Sequence, residues 1–329
     1  MTSPSAPRRR GVLSTSEGTH RGAFAALDWA LFASVGGIWG ASFLFIALGL
    51  KVFEPGLITW GRILCGAAVL SLVPAARTRI DRDDRPRLIA LSVLWVALPF
   101  TLFPLAEQHI TSGLVGLLNG GIPIFTAVIG SMMLRRLPDR SRVLGLLVGF
   151  AGVATIALPA AGAGSSEAFG VVLVLGAVTC YGLAINISTP LTQRYGSLAV
   201  MEKMLALAAL WTAPFGIWGL GRSSFGWGSF VAVAVLGALG TGIAFVLMGR
   251  LVSRVGPTRG AFANYLIPVV AVILGAIFLD ERIRGTSVVG IMLVIGGAVL
   301  ASRREASRVV RPGSGSRRIP PPHDEGHDA

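Results

Sequence analysis

The chain has 329 residues, of which 53% are hydrophobic and only 14% charged, with a mean hydropathy of +0.71. Soluble domains carry about a quarter of their residues charged, so this balance excludes an ordinary globular enzyme. The net charge of +13 invites a nucleic-acid reading, but the basic residues sit in short clusters between apolar runs, not on one face with aromatics between them, and that class is excluded too.

Residues 1–28 are polar and basic, and read as a cytoplasmic tail. A membrane span needs about 20 apolar residues. Ten such stretches follow, at roughly 29–50, 57–75, 88–106, 113–134, 143–159, 169–190, 200–220, 228–249, 261–279 and 286–302. The links are mostly short, and the stretch 303–329 is basic, then acidic, with the composition of a disordered cytoplasmic tail. Cys65 and Cys180 lie inside apolar runs, and none of the four histidines is spaced as a zinc pair. No disulfide framework, metal or cofactor is expected.

The apolar stretches are written twice. Shifting the chain by 145 positions lays Asn119, Ile122 and Pro123 on Asn264, Ile267 and Pro268, and Gly130, Gly145 and Gly152 on Gly275, Gly290 and Gly297. Alternate links carry the charge: 23 of the 29 basic residues fall on the side of the N-terminus and four on the other, while Arg62 and Lys203 lie within spans. This is the positive-inside pattern, with both termini cytoplasmic. Five spans per copy is odd, so the second copy enters the membrane inverted. The expected fold is therefore an all-α integral membrane protein of ten transmembrane helices, arranged as two inverted five-helix repeats, 29–159 and 169–302.

Trp39-Gly-Ala-Ser-Phe43 in the first span, Arg62 early in the second, and a ninth span with Pro268, Leu279 and Glu281 followed by Gly290 and Gly297 together resemble the EamA-domain proteins of the drug/metabolite transporter superfamily. The resemblance spans about residues 30–302. It departs at Arg136, which stands where the family often has a glutamate. It implies a secondary transporter that exports small metabolites, amino acids or drugs, driven by an ion or solute gradient.

Charged and polar groups inside spans are the functional candidates. Asn119 and Asn264 each lie one turn before a proline, Pro123 or Pro268, whose missing N–H frees a carbonyl and kinks the helix. They are weighed evenly as helix-to-helix hydrogen bonds or as a matched pair facing a cavity, with Tyr265 beside the second. Trp39 and Trp95 lie near mid-span and suit an aromatic wall. Tyr181 and Asn186 occupy the region of the sixth span equivalent to Trp39 to Phe43, which includes Ser42. Arg62 either snorkels outward or faces the cavity. The Gly36/Gly40, Gly116/Gly120 and Gly145/Gly149 pairs are more simply packing sites than functional ones. Glu281 is expected at the outer interface beside Arg282 and Arg284, in ion pairs weakened by solvent. Glu107-Gln108-His109 is expected as an exposed link. No span carries a carboxylate near its centre, so proton coupling through a deep acid is not expected.

Clustered acids, histidines or a Ser/Lys pair at bilayer depth are missing, which argues against an intramembrane enzyme. The expectation is a transporter in a bacterial cytoplasmic membrane, working by alternating access around a cavity between the repeats. The alternative is a non-transporting scaffold or accessory subunit of a lipid pathway. The partners are a small-molecule solute and membrane lipid, without nucleic acid; a homodimer is compatible with the reading.

Overall fold

The computed structural model describes residues 25–133, 140–255, 260 and 262–302, and these contain helices and links but no strand. Both tails lie almost wholly outside the described residues, as do 134–139, with Arg135 and Arg136, and 256–259. In chain order the helices are α1 (Ala26–Gly49), α2 (Pro55–Ser71), α3 (Arg82–Glu107), α4 (Ser112–Met133), α5 (Val143–Ala161), α6 (Ser165–Tyr195), α7 (Ser197–Leu220), α8 (Trp227–Val255), α9 (Phe262–Leu279) and α10 (Gly285–Ser302). All but α2 and α10 are long and apolar enough to cross a membrane, and those two are shorter apolar helices. At 1.5 Å per residue the 17 residues of α2 span about 25 Å, slightly less than a hydrocarbon core. Each helix coincides with one of the apolar stretches.

Four helices are locally irregular. α3 widens to a π-helix over Ser92–Ala97, and α8 does so over Leu236–Ile243. α4 breaks at Gly120 and Gly121, whose N–H groups donate to Leu117 O and Leu118 O at 3.1 and 3.0 Å. α9 opens with a 3₁₀ turn, Phe262–Tyr265. Here the structure corrects an expectation. Pro123 and Pro268 do not kink helix interiors; each lies in the first turn of a segment, Ile122–Met133 or Leu266–Leu279. A proline there lacks an N–H that would be unpaired anyway, so it starts the segment. In α4 the break falls at Gly120 and Gly121, whereas in α9 it falls at the end of the 3₁₀ turn, which has no glycine.

The two π segments present groups to neighbouring helices, as widened turns do. Trp39 Nε1 of α1 donates to Gly240 O at 3.1 Å, and Trp211 Nε1 of α7 donates to Ser92 Oγ at 3.0 Å.

The helices pack in a regular scheme. α5 lies on α10, α2 on α7 and α4 on α9. The remaining large interfaces come in pairs: α1 on α9 with α6 on α4, α2 on α8 with α7 on α3, and α1 on α8 with α6 on α3. Glycine sets the closeness of several. A Cβ on Gly36 or Gly40 would lie 2.6 Å from Leu266 Cβ or 2.5 Å from Val270 Cβ of α9; one on Gly182 of α6 would lie 3.0 Å from the Phe125 carbonyl carbon of α4. Gly116 abuts Ala271, and a Cβ on Gly297 would stand 2.6 Å from Gly145 O. With no hydrophobic drive between helices in lipid, such close backbone packing holds them together. The buried core is centred on Phe43, Phe103, Ile124 and Val178, with a second cluster around Phe100, Met204 and Leu205.

Candidate functional site: a one-sided cleft and a buried charged interior

A cleft of about 850 Å³ opens at the end of the bundle where α3 finishes and α4 begins. Its walls come from the C-terminal ends of α3, α5 and α9 and the N-terminal ends of α4, α6 and α10. Glu107, His109, Glu167, Glu281, Arg282 and Arg284 supply charged or ionisable groups of both signs, while Leu117, Ile156 and Val272 make the apolar part.

Glu281 is placed by the end of α9. Asp280 takes a left-handed conformation (φ 53°), which an aspartate tolerates better than most residues, and the Glu281 N–H closes back on Gly275 O at 3.2 Å. The turn aims the carboxylate at the start of α4. It accepts from Ser112 N, Ser112 Oγ and Gly113 N, each at 2.8 Å. Thr111 Oγ1 takes the next donor, Leu114 N, at 3.4 Å. The unpaired N–H groups and positive dipole end of α4 are thus met by one anion. The expected ion pairs with Arg282 and Arg284 are not the glutamate's partners; backbone of another helix is.

Glu107 is the larger surprise. Expected on an exposed link, it ends α3 with both carboxylate oxygens buried and without a hydrogen-bond partner among the described residues. The neighbouring His109 is the outward one, its Nδ1 2.8 Å from Ser166 Oγ and its ring edge-on to Phe169.

Arg62 does not snorkel. It is 7% exposed, its Nε donates to Thr241 Oγ1 of the α8 π segment at 2.9 Å, and its guanidinium lies 3.7 Å over the Phe100 ring. The ionisable groups that act on it electrostatically are Tyr181 and Glu107. Along α3, Phe100, Phe103 and Glu107 follow at helical spacing, and Phe103 bridges Phe43 and Tyr181 at ring separations of 5.6 and 5.9 Å. An aromatic column therefore runs along α3 from buried Arg62 toward Glu107, the last residue of the helix.

The other candidates scatter around this column, and none of the eleven lines the cleft. Trp39 joins α1 to α8 and meets Phe245 edge-on; Ser42 is buried and donates to Ile38 O at 3.2 Å in its own helix. Trp95 packs against the second cluster. Asn119 is buried with Oδ1 unpaired, and Pro268 packs on the neighbouring Gly120. Asn186 Nδ2 donates to Thr126 O of α4 and to Gly182 O, so its amide is a helix-to-helix link. Asn264 and Pro123 are half-buried, and Tyr265 stacks on Phe262. Tyr181 and Glu107 thus both act on Arg62, and Glu107, expected from the sequence on an exposed link, belongs with these inward groups. Among the described residues no group of three His, Cys, Asp or Glu side chains could hold a metal.

Eight long apolar helices around a charged interior, with a cleft at one end, define a multi-pass membrane protein. The chain matches the EamA-like transporter family over residues 27–158 and again over 168–303, and it belongs to that family. It is 24% identical to an uncharacterized transporter of Archaeoglobus fulgidus, over 84% of this chain and 99% of that protein. It is 25% identical to a probable terminal-alkyne amino-acid exporter of Streptantibioticus cattleyicolor (85% and 94%), and 24% identical to the uncharacterized inner membrane transporter YedA of Escherichia coli K12 (80% and 87%). A solved crystal structure shares the fold at TM-score 0.56 and 17% identity, covering 85% of this chain and 98% of the other.

Proposed function

We propose that the protein is a secondary transporter that exports small metabolites, amino acids or drugs from a bacterial cytoplasm, with both termini inside. Its ten helices form two inverted five-helix halves, 29–159 and 169–302, that rock against each other around a path between them. The observation that carries this reading is the packing scheme. Adding five to, or subtracting five from, each helix number turns every large interface into itself or into another large interface, and the two π segments, in α3 and α8, occupy corresponding places. A bundle whose halves are interchangeable has two arrangements of similar energy, one open to each side. The cleft belongs to the arrangement open outward, since α4, α6 and α10 begin at its rim. Lining charges of both signs suit a zwitterion, in keeping with the amino-acid exporter among the relatives.

The test is purified protein in sealed vesicles, assayed with labelled amino acids, terminal-alkyne analogues and cationic drugs. Saturable flux of one of these classes above protein-free vesicles is expected. No flux across the whole panel would favour a non-transporting accessory subunit.

A further inference from the structure

We propose that Glu107 is a proton-binding site of the transport path, loaded through the cleft, so that export is exchanged for protons. Its use in a cycle rests on the transporter reading above; its existence does not.

Both carboxylate oxygens are shielded from solvent and accept no hydrogen bond among the described residues. An ionised carboxylate so placed has lost its hydration without replacement, and binding a proton removes the charge. The local fields point the same way. Glu107 closes α3, and the carbonyl end of a helix disfavours an anion. Glu281, the other carboxylate of the cleft, is met by three donors at the start of α4, whereas Glu107 is met by none. Two carboxylates in one region with such different partners are not equivalent, and the one without donors is the place for the proton.

The groups facing Glu107 from the surrounding helices are few. α2 offers Arg62, α6 offers Tyr181, and the residues after α9 bring Glu281, Arg282 and Arg284 to the same cleft, while α4 has no ionisable residue and the charged residue of α1, Asp28, lies at the opposite end of the bundle. Arg62 forms no ion pair with Glu107; its Nε is committed to Thr241 and its face to Phe100. It therefore moderates the cost of ionising Glu107 without replacing the proton. His109 and Glu167 line the same cleft, which is the way by which a proton would reach Glu107. A proton entering there and leaving after the halves have rocked would carry one charge inward per solute exported.

The experiment uses the wild-type full-length protein in detergent, with no solute, and dicyclohexylcarbodiimide, an apolar reagent that adds to protonated carboxylic acids in apolar surroundings. Peptide mapping by mass spectrometry should find the adduct on Glu107 and not on Glu281, forming more slowly as pH rises. An unmodified Glu107, or a rate that ignores pH, would overturn the proposal. Protection by sodium chloride but not choline chloride at fixed pH would overturn it in favour of a sodium site. In vesicles, solute flux through wild type should follow an imposed pH gradient, and Glu107→Gln, checked for folding by its elution profile, should lose that dependence. If Glu107→Gln fails to fold, Glu107→Asp should alter the pH dependence of flux; an unchanged dependence in a folded variant counts against the site. Labelling without flux would sink the transporter reading alone, and flux without labelling would sink the proton site alone.

Discussion

Two asparagines in this bundle have opposite circumstances, and they should answer substitution in opposite ways. Asn186 spends its amide on Thr126 O and Gly182 O, whereas Asn119 is buried with its carbonyl oxygen unpaired. An orphaned buried acceptor costs about 1–3 kcal/mol, which a bound solute or a water could offset. Asn119→Ala should therefore leave the unfolding temperature equal or higher while raising the apparent KM of a transported solute roughly three- to tenfold, the worth of one uncharged hydrogen bond. Asn186→Ala should instead destabilise the protein by about 0.6–1.7 kcal/mol, the range for hydrogen bonds between membrane helices. Heating followed by size-exclusion chromatography, with flux measured in parallel, checks both. A destabilised Asn119→Ala with unchanged KM would mean that this amide is structural as well. Asn119 and Asn264, which occupy equivalent places in the repeated sequence, differ in three dimensions: the first is buried, the second half-buried on a 3₁₀ turn.

Between elements, glycine decides how close helices come, and the individual positions are not equivalent. A methyl group on Gly40 would meet Val270 Cβ at 2.5 Å and Ile267 O at 2.9 Å, whereas one on Gly37 would meet nothing within 4 Å. Gly40→Ala should push α1 away from α9 and cost about 1–3 kcal/mol, as overpacking does. Gly37→Ala should be neutral or stabilising by up to about 1 kcal/mol through helix propensity. Thermal unfolding of the two variants side by side is the measurement; equal shifts would show that the α1–α9 seam is not the constraint. The GxxxG spacing and the 145-residue shift made these seams legible in the sequence, and apolar run lengths made the helices legible. What the sequence hid was local geometry. Pro123 and Pro268 looked like kinks because a proline in an apolar run has the same spelling whether it interrupts a helix or begins one. The π segments leave no residue pattern at all. Glu281 stood in a recognisable motif, yet its partner, the start of α4, is 168–169 residues away in the chain. Glu107 was unreadable for the same reason: burial of a residue at a span end depends on what the neighbouring helices place over it.

For the whole molecule, the arrangement of sides is the most exposed claim. If the halves are inverted, the link 160–168 faces outward and the basic link 77–87 faces the cytoplasm. Single cysteines placed in each, with Cys65 and Cys180 replaced, should react with a membrane-impermeant maleimide in intact cells at 160–168 and stay unreacted at 77–87. Labelling at 77–87 from outside would undo the inverted arrangement and the outward assignment of the cleft together. The described charges at the opposite end are compatible with this: Arg194 bridges Asp81 and Asp84 at 2.6 and 2.9 Å, joining the start of α3 to the end of α6.

The ion pair between Asp28 and Arg254 joins the first turn of α1 to the last turn of α8, with Asp28 fully buried. These residues are 226 positions apart in the chain. At about 5–20 residues per second of synthesis, Arg254 leaves the ribosome roughly 11–45 s after Asp28 has entered the bilayer surface. Through that interval Asp28 has the Ala25 N–H within its own first turn but not the arginine, so this tie between α1 and α8 closes only after seven further helices have been threaded. The seam between α1 and α8 is therefore closed by a residue of the eighth helix, and a ribosome stalled before α8 would leave that seam open.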